Sequence, residues 1–390
     1  MTIESRGMAW RISLHFAALF IVPGVYLPFF AVWLESRSLA PTQISIMLSV
    51  GILMRLLAGP MAAHVVDRSG RRKTALILLA WASLASFALL GWVDGFAAML
   101  LVWVVHCAAW APVTPFSDNI ALLASTRHGL HYGRMRLWGS ISFLCAAYLS
   151  GLWLKGRDAD WIFVLLLGGY TALVLGAHLL PDLRLPLDKP RVGAPAFRLL
   201  RSRRFLLFMG AAACLQASHA AFYTFGTLHW RSLGHSDAAI GWLWAEGVVA
   251  EIVLFAFAQR VPAWLGGTGL LLIAATGGLL RWSITAEAED YLLLAILQVL
   301  HAATFGAAHI GAMRLLSDGV TPSDSATAQT LYVAGNSAML ALATLAVGPI
   351  FAWGGGAIYW AMTALSLVGG ACALMLWHRR DNLVFAPPQP

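Results

Sequence analysis

Three ionisable side chains interrupt long apolar stretches of the chain and are the first candidates for chemistry. Arg55, Glu251 and Arg281 are each surrounded by mostly apolar residues. An ionised group at the centre of a bilayer costs about 2.5–3.5 kcal/mol, so such a residue usually faces a cavity or a charged partner. Burial favours the neutral form of a carboxyl group, and a neighbouring cation favours its charged form. Glu251 is therefore expected to bind and release a proton when its partnership with Arg281 changes.

Glu246 precedes Glu251 by five residues and is a second candidate for the proton carrier. At about 100° per residue the two side chains lie about 140° apart around a helix, so they do not share one face. The rise per residue places Glu246 and Arg281 within about 6 Å of the same depth. Either glutamate could pair with Arg281, and a permanent structural ion pair is the alternative to proton coupling.

Arg55 lies near the middle of its apolar stretch. The planar guanidinium group can hold both oxygens of a carboxylate, which suits an anionic substrate. The alternative is that Arg55 pairs with a nearby acidic side chain or with helix carbonyl groups.

Two apolar stretches carry polar residues at the spacing i, i+3, i+7, which places them on one face of a helix. The first stripe comprises Gln216, His219 and Tyr223, and the second comprises Gln329, Tyr332 and Asn336. Both are candidate hydrogen-bonding faces for a substrate, and hydrogen bonding between helices is the alternative.

His301 and His309 are eight residues apart, which corresponds to about 80° around a helix. Together with Phe305 they form one stripe, and both could face a cavity. His309 could instead bond a neighbouring helix. No tight ligand spacing such as H-E-x-x-H occurs, so we expect no metal site. No motif indicates a cofactor.

The composition excludes a soluble protein. Of the 390 residues, 59% are hydrophobic and 11% are charged, and the mean hydropathy is +0.74. A soluble protein is about 45–50% apolar and about 25% charged. The chain is therefore predicted to be an all-α integral membrane protein, whose lipid partner is the bilayer, and its basic character needs no nucleic acid to explain it.

A membrane-spanning helix needs about 20 mostly apolar residues, and the sequence contains twelve such stretches. They are residues 10–34, 43–65, 74–93, 96–118, 135–154, 161–180, 204–229, 238–259, 264–284, 290–313, 326–351 and 356–377. Pro112 and Pro115 predict a kink in the fourth. The first stretch is too long for a cleaved signal peptide, and no small-residue cleavage site follows it.

The longest loop, residues 181–203, is basic, contains several prolines and separates six spans from six. This predicts two pseudo-symmetric six-helix bundles, 1–180 and 204–390, the second with a short cytoplasmic tail. A cytoplasmic linker joins them. Each bundle could be an inverted repeat of three and three helices, with a substrate site near the midplane.

The distribution of Lys and Arg predicts the orientation. If the N-terminus is cytoplasmic, only Arg37, Lys155, Arg157 and Arg231 lie outside, and Arg55 and Arg281 lie within spans. The remaining twenty of the 26 lie on the cytoplasmic side. Both termini are therefore predicted to be cytoplasmic.

The loop after the second span reads AHVVDRSGRRK and resembles the loop motif of the major facilitator superfamily, G-x-x-x-D-x-x-G-R-R/K. The matching residues are Asp67, Gly70, Arg71 and Arg72, and Ala63 replaces the first glycine. The resemblance implies a gating role, in which these charges hold neighbouring helix ends and change partners as the bundles move. An ordinary basic loop is the alternative.

A second gating pair is expected at the cytoplasmic ends of the fourth and fifth spans. Asp118 ends one span and Arg136 begins the other. Opposite charges at this position are better placed to form a gate than to contact a substrate.

More specific strings extend the resemblance over nearly the whole chain. They are YGRMRLWGSISF, GWLWAEGVVAEIVLF, LLRWS, QVLHAATFGAAHIGAM and ATAQTLY. Together they resemble the 3-phenylpropionate–proton symporter branch of the superfamily, which is related to lactose permease. The resemblance implies that Glu251, Arg281 and His301 bind substrate and handle the proton. The permease has a further carboxylate near its histidine, and this chain has His309 in that span instead.

The resemblance implies a secondary transporter for proton-coupled uptake of a small organic acid, with an aromatic or other monocarboxylate as the expected cargo. It further implies a bacterial-type inner membrane and a protein that works as a monomer. A sugar or nucleoside symporter is an alternative.

A drug or metabolite efflux antiporter is a further alternative. The fifth span lacks the G-P motif of twelve-span exporters, and the fourth span lacks their arginine. A membrane enzyme is the third possibility. No nucleophile–base arrangement, carboxylate-rich metal motif or nucleotide loop supports it, so we do not expect an enzyme.

Overall fold

The protein is α-helical throughout the part of the chain that the structure describes. The computed structural model describes residues 3–69, 71–183, 195–260, 263–321, 324–378 and 385. No β-strand occurs in those ranges. A helix satisfies its own backbone hydrogen bonds, which hydrocarbon cannot do. The predicted all-α membrane fold is confirmed.

The chain divides into two compact units. The described residues of Met1–Pro190 and Ser236–Ala245 form the first, and those of Arg191–His235 and Glu246–Pro390 form the second. The first unit contains helices α1 Ile3–Ser36, α2 Pro41–Ser69, α3 Arg72–Leu90, α4 Phe96–Trp110, α5 Val113–His128, α6 Tyr132–Leu154 and α7 Asp160–Leu179.

The second unit begins within the predicted linker. Its helices are α8 Pro195–Arg201, α9 Arg203–Ala217, α10 Ala220–Ser232, the second half of α11 Asp237–Ala256, α12 Gly266–Thr285, α13 Tyr291–Val299, α14 Ala308–Gly319, α15 Ser325–Gly354 and α16 Ile358–Trp377. Helix α8 is short and basic, and its Arg198 forms an ion pair with Asp324, which directly precedes α15. This contact anchors the linker helix to the second unit.

Eleven continuous helical runs in the described ranges are long and apolar enough to cross a membrane. The last, Ser325–Trp377, has 53 residues, which is far more than one crossing needs. It contains α15 and α16, which are separated where Gly355 adopts a positive φ of 51°. Glycine tolerates that conformation because it has no Cβ. The two helices account for the eleventh and twelfth predicted spans.

Three spans are interrupted. The break between α4 and α5 falls at Ala111 and Pro112, where the sequence predicts a kink. The break between α9 and α10 falls at Ser218 and His219, and a π-helical segment, Ala302–Ala307, separates α13 from α14. The latter two breaks were not predicted.

Glycines allow close helix packing within each unit. A Cβ at Gly24 of α1 would lie 2.7 Å from the carbonyl oxygen of Phe143 in α6. A Cβ at Gly267 of α12 would lie 2.6 Å from the carbonyl oxygen of Gly311 in α14. Small residues of this kind let membrane helices approach until their backbones touch.

Candidate functional site

Arg281 is the centre of a buried polar cluster in the second unit. It lies on α12 and its exposed fraction is 0%. Nη1 donates to His301 Nδ1 at 3.0 Å and to Thr304 Oγ1 at 3.1 Å, and Nη2 donates to Gln298 Oε1 at 2.7 Å. Nε is buried without a hydrogen-bond partner among the described residues. The guanidinium charge is thus held by neutral groups.

Aromatic rings cover the faces of the guanidinium group. Its central carbon lies 4.4 Å from the ring centroid of Trp282 and 5.1 Å from that of Phe222. Ring faces attract cations, and the attraction is stronger where water is excluded. The rings therefore help to keep Arg281 charged in a buried position.

The contact with Arg281 fixes the protonation pattern of His301. Because Arg281 can only donate, His301 Nδ1 must accept, and the neutral imidazole then carries its hydrogen on Nε2. That Nε2 lies 3.6 Å from Oε2 of Glu251 on α11. A small movement of either side chain would form a hydrogen bond. His301 thus links a carboxyl group to a guanidinium group through its two ring nitrogens.

A second branch runs from Arg281 through Thr304 to His219. His219 Nδ1 lies 3.2 Å from the carbonyl oxygen of Gln216, which can only accept, so that nitrogen carries the hydrogen. His219 Nε2 therefore accepts from Thr304 Oγ1 at 3.0 Å. Thr304 in turn accepts from Arg281, so a single hydroxyl group joins the histidine to the arginine.

Interrupted helices place these groups together. His301 immediately precedes the π-helical segment, and Thr304 lies inside it. A π-helical turn holds an extra residue and frequently occurs at functional sites. His219 lies at the break between α9 and α10, where Ser218 Oγ accepts a hydrogen bond from Trp282 Nε1 at 3.2 Å.

The predicted direct pairing of a glutamate with Arg281 is not found. No carboxylate of the described residues lies within 4.0 Å of Arg281, and Glu251 is next to His301 instead. Two charges at similar depths in neighbouring helices can still be separated by another side chain, as His301 separates Glu251 from Arg281. Glu246 Oε2 is buried without a hydrogen-bond partner among the described residues.

The two predicted polar stripes do not remain intact. In the first stripe, the break at Ser218 and His219 separates Gln216 from His219 and Tyr223. The ring centroids of His219 and Tyr223 are 5.7 Å apart, and the two rings stack beside the arginine cluster. Gln216 and Asn336 instead interact with Tyr332, which forms a separate polar group between α9 and α15.

Two predicted residues lie apart from these groups. Gln329 is exposed and donates to Ser325 on its own helix at 3.2 Å. The ring of His309 faces that of Phe255 at 6.2 Å. The 80° spacing of His301 and His309 assumed a regular helix, and the π-helical segment between them invalidates that assumption.

Arg55 lines a cavity in the first unit, and no carboxylate of the described residues lies within 4.0 Å of it. The cavity has a volume of about 170 Å³ and lies among α1, α2, α4 and α7. Its lining includes Tyr26, Arg55, Trp103, Cys107, Trp110 and Tyr170.

The predicted gating residues are described in part. Asp118 Oδ1 lies 3.8 Å from Arg136 Nε and accepts a hydrogen bond from Tyr132 at 2.9 Å. Arg136 also lies 3.8 Å from the ring centroid of Phe20. Of the loop motif, Arg71 precedes α3 and Arg72 begins it. The side chain of Asp67 and all of Gly70 lie outside the described residues.

Sequence reasoning missed Gln298 and Thr304, which lie three residues before and after His301. Both are polar residues within an apolar span and lie at helical spacing from His301, which could have identified them as candidates from the sequence. It also missed Tyr26, Trp103 and Tyr170, which line the cavity with Arg55. These come from three helices far apart in the sequence, so no spacing could have grouped them.

Comparisons with known proteins agree with this architecture. The model of the MFS_1 like family matches residues 9–363. The "Probable 3-phenylpropionic acid transporter" of Escherichia coli (strain K12) is 30% identical over 362 residues, which are 91% of this chain and 94% of that protein. The maltose permease of Geobacillus stearothermophilus is 26% identical over 377 residues, with 94% of each chain covered.

Solved transporter structures share the fold. The nucleoside transporter NupG has a TM-score of 0.82 at 16% identity, with 96% of this chain and 99% of that chain covered. A bacterial homologue of the human lysosomal transporter Spinster has a TM-score of 0.73 at 15% identity, with both chains fully covered. The chain therefore belongs to the MFS_1 like family and is a multi-pass secondary transporter of the major facilitator superfamily, not an enzyme.

Proposed function

We propose that this transporter couples the uptake of a small organic acid, specifically an aromatic monocarboxylate, to the inward movement of a proton. The observation that carries the proposal is the arrangement of Glu251 and Arg281 on the two nitrogens of His301. A protonatable carboxyl group is thereby connected to a cation that can respond to an anion.

The coupling follows from the protonation of His301. While Arg281 donates to Nδ1, that nitrogen cannot take a proton, so the imidazole stays neutral and Glu251 has no cationic neighbour within 4.0 Å among the described residues. A substrate anion that draws the guanidinium group away would leave Nδ1 available. His301 could then become a cation beside Glu251, which favours the ionised carboxylate. Proton release and substrate movement would in this way depend on each other.

Two observations support an acidic aromatic cargo. The Escherichia coli relative is named for 3-phenylpropionic acid, and the cavity at Arg55 combines a guanidinium group with aromatic walls. The orientation with both termini in the cytoplasm, the inner membrane and the monomeric state belong to the same proposal, and the excess of basic residues on one side supports the orientation.

A sugar or nucleoside symporter is the second candidate. The maltose permease relative and the NupG fold neighbour favour it, as does the polar group of Gln216, Tyr332 and Asn336. Such a group offers the several hydrogen bonds that a polyhydroxyl substrate needs.

Uptake into proteoliposomes under an inward proton gradient tests the proposal. The panel comprises 3-phenylpropionate, other aromatic acids, maltose and a nucleoside. We expect uphill accumulation of an aromatic acid that stops when a protonophore removes the gradient. Uphill accumulation of maltose or the nucleoside alone would contradict the acid cargo, and accumulation that ignores the protonophore would contradict the coupling.

A further inference from the structure

Helix α8 has one face that is anchored to the protein and one face that is open. Leu199 is fully buried in the core of the second unit, and Arg198 forms the ion pair with Asp324. Phe197 and Leu200 lie three residues apart and therefore share a face of the helix. Their exposed fractions are 63% and 44%. The open face of α8 thus presents two large apolar side chains to its surroundings.

The same face carries positive charge. The segment PAFRLLRSRR, residues 195–204, contains four arginines and no acidic residue. Arg201 follows Phe197 by four residues, and its guanidinium carbon lies 4.1 Å from the centroid of that ring. Neither Arg201 nor Arg203 forms an ion pair with a described residue. These charges are therefore available to an anion outside the protein.

Helix α8 lies at the boundary between the bilayer and water. Only Ser202 separates it from α9, which begins a run that is long and apolar enough to cross a membrane. Ser202 is extended, and its Oγ accepts a hydrogen bond from the N–H of Phe205 at 3.3 Å, so a new helix starts here. Arg203 begins that helix, and Leu206, one turn later, is exposed. Because arginine avoids the hydrocarbon core, Arg203 indicates the level of the lipid headgroups.

These features match a helix that lies in the membrane interface. Such a helix places its apolar side chains among the upper parts of the acyl chains, and its basic residues attract anionic headgroups. A soluble protein partner fits less well. A specific protein interface buries about 800 Å² on each side, whereas α8 has seven residues and is about 10 Å long.

We infer that the open face of α8 binds an anionic phospholipid, with Phe197 and Leu200 among its acyl chains and its phosphate on Arg201 and Arg203. The linker helix is then held from two sides, by Asp324 of the protein and by a lipid of the bilayer. The cytoplasmic leaflet as the source of that lipid rests on the proposed orientation. The binding itself depends on neither the cargo nor the proton coupling.

Native mass spectrometry of the purified full-length protein tests the inference, because it resolves each bound lipid and yields its Kd. The protein is titrated in detergent with phosphatidylglycerol, which is anionic, or with phosphatidylcholine, which has no net charge. The wild type should bind phosphatidylglycerol more than tenfold more tightly than phosphatidylcholine, since two arginines contribute about fivefold each.

Substitutions in α8 and at the start of α9 separate the charge from the apolar contact. Arg201→Gln and Arg203→Gln should each raise the Kd for phosphatidylglycerol about fivefold and leave that for phosphatidylcholine unchanged. Arg201→Lys should stay within about twofold of the wild type, because lysine keeps the charge and also binds phosphate. Phe197→Ser should weaken the binding of both lipids, since it removes apolar area.

Arg157 provides the matched control. Its guanidinium carbon lies 4.3 Å from the ring centroid of Trp153, whose side chain is exposed, so the pair repeats that of Arg201 and Phe197. Asp158 and Asp160 follow it in the sequence and offset its charge. Arg157→Gln should therefore leave both Kd values within about twofold of the wild type. Size-exclusion profiles show which variants fold, and the ratio of the two Kd values does not depend on the fraction folded.

Equal affinity of the wild type for the two lipids would overturn the inference. So would an equal loss of phosphatidylglycerol binding in Arg157→Gln and Arg201→Gln, or a loss in Arg201→Lys as large as that in Arg201→Gln. Glycerol 3-phosphate has the phosphate but no acyl chains and should not compete with the lipid; competition would indicate a site for free anions instead. Because no outcome involves transport, the proposed cargo and coupling can fail while the inference stands.

Discussion

At the scale of single residues, the second unit places a carboxyl group and a guanidinium group on opposite nitrogens of His301. Arg281 at Nδ1 keeps the imidazole neutral, and Nε2 faces Glu251 at 3.6 Å. The neutral partners of Arg281 make it a cation without a fixed counter-ion in the described structure. Such a cation can respond to an arriving anion.

Glu251→Gln should abolish proton-driven accumulation while leaving substrate exchange between the two sides. The amide has nearly the same shape but cannot take up or release a proton. Accumulation and counterflow in proteoliposomes measure the two activities separately. Glu287→Gln is the matched control, because among the described residues that carboxylate is bonded only to Trp360, at 3.2 Å, and it lies outside the cluster. If Glu251→Gln accumulates substrate as well as the wild type does, Glu251 is not the proton carrier.

Glu246→Gln decides between the two glutamates. Glu246 does not contact His301 in this structure, whereas Glu251 does. We expect the variant to accumulate substrate under a proton gradient. If instead Glu246→Gln loses accumulation and Glu251→Gln keeps it, the proton carrier has been assigned to the wrong residue.

Thr304→Val should destabilise the second unit. It removes the hydroxyl group that joins Arg281 to His219 and leaves buried polar atoms unpaired, which costs about 1–3 kcal/mol. The melting temperature of the purified protein should fall, and Thr304→Ser should restore it. Thr171→Val is the control, since within the part of the chain that the structure describes the Thr171 hydroxyl group bonds only to the carbonyl oxygen of Leu167 in its own helix. Equal melting temperatures for Thr304→Val and Thr171→Val would show that the hydroxyl group of Thr304 contributes nothing to the stability of the protein.

At the scale of helices, the close contact of α12 and α14 should be sensitive to a single methyl group. A Cβ at Gly311 would lie 2.7 Å from the carbonyl oxygen of Gly267 and 2.9 Å from Leu270 Cβ. Gly311→Ala should therefore lower stability by about 1–3 kcal/mol, as overpacking does. Gly168→Ala of α7 is the control, because, apart from the adjoining residues and backbone of its own helix, no atom of the described residues lies within 4 Å of the added carbon. Thermal unfolding of both variants measures the difference, and a stable Gly311→Ala would contradict the close packing.

The helices also show what could be predicted from the sequence. Spans follow from apolar runs, and Glu251, Arg281 and Arg55 stand out because charge is rare within them. Faces were predicted from a regular 3.6-residue repeat. That repeat does not hold at the π-helical segment or at the break near His219. Neither irregularity is marked by a local residue type, whereas Pro112 marks the break between α4 and α5. The Arg55 cavity arises from packing between distant helices, which a single sequence does not encode in any spacing.

At the scale of the whole molecule, transport requires charged contacts that form and break during the cycle. The Asp118–Arg136 pair at 3.8 Å is partly exposed, so we expect it to contribute about 0–1 kcal/mol. Asp118→Asn should therefore lower the turnover rate up to roughly fivefold with little change in substrate Kd. Initial uptake rates and equilibrium binding provide the two values. Lost affinity at a normal rate would contradict a gating role.

The measurement that tests the central claim most directly is substrate-driven proton movement in proteoliposomes. A gradient of 3-phenylpropionate is imposed at equal pH on both sides, and a trapped dye reports internal pH; protein-free liposomes account for passive entry of the neutral acid. We predict acidification of the interior by the wild-type protein beyond that background, and none by Glu251→Gln. Substrate entry without added acidification in the wild type, or equal acidification by Glu251→Gln, would contradict proton coupling through Glu251.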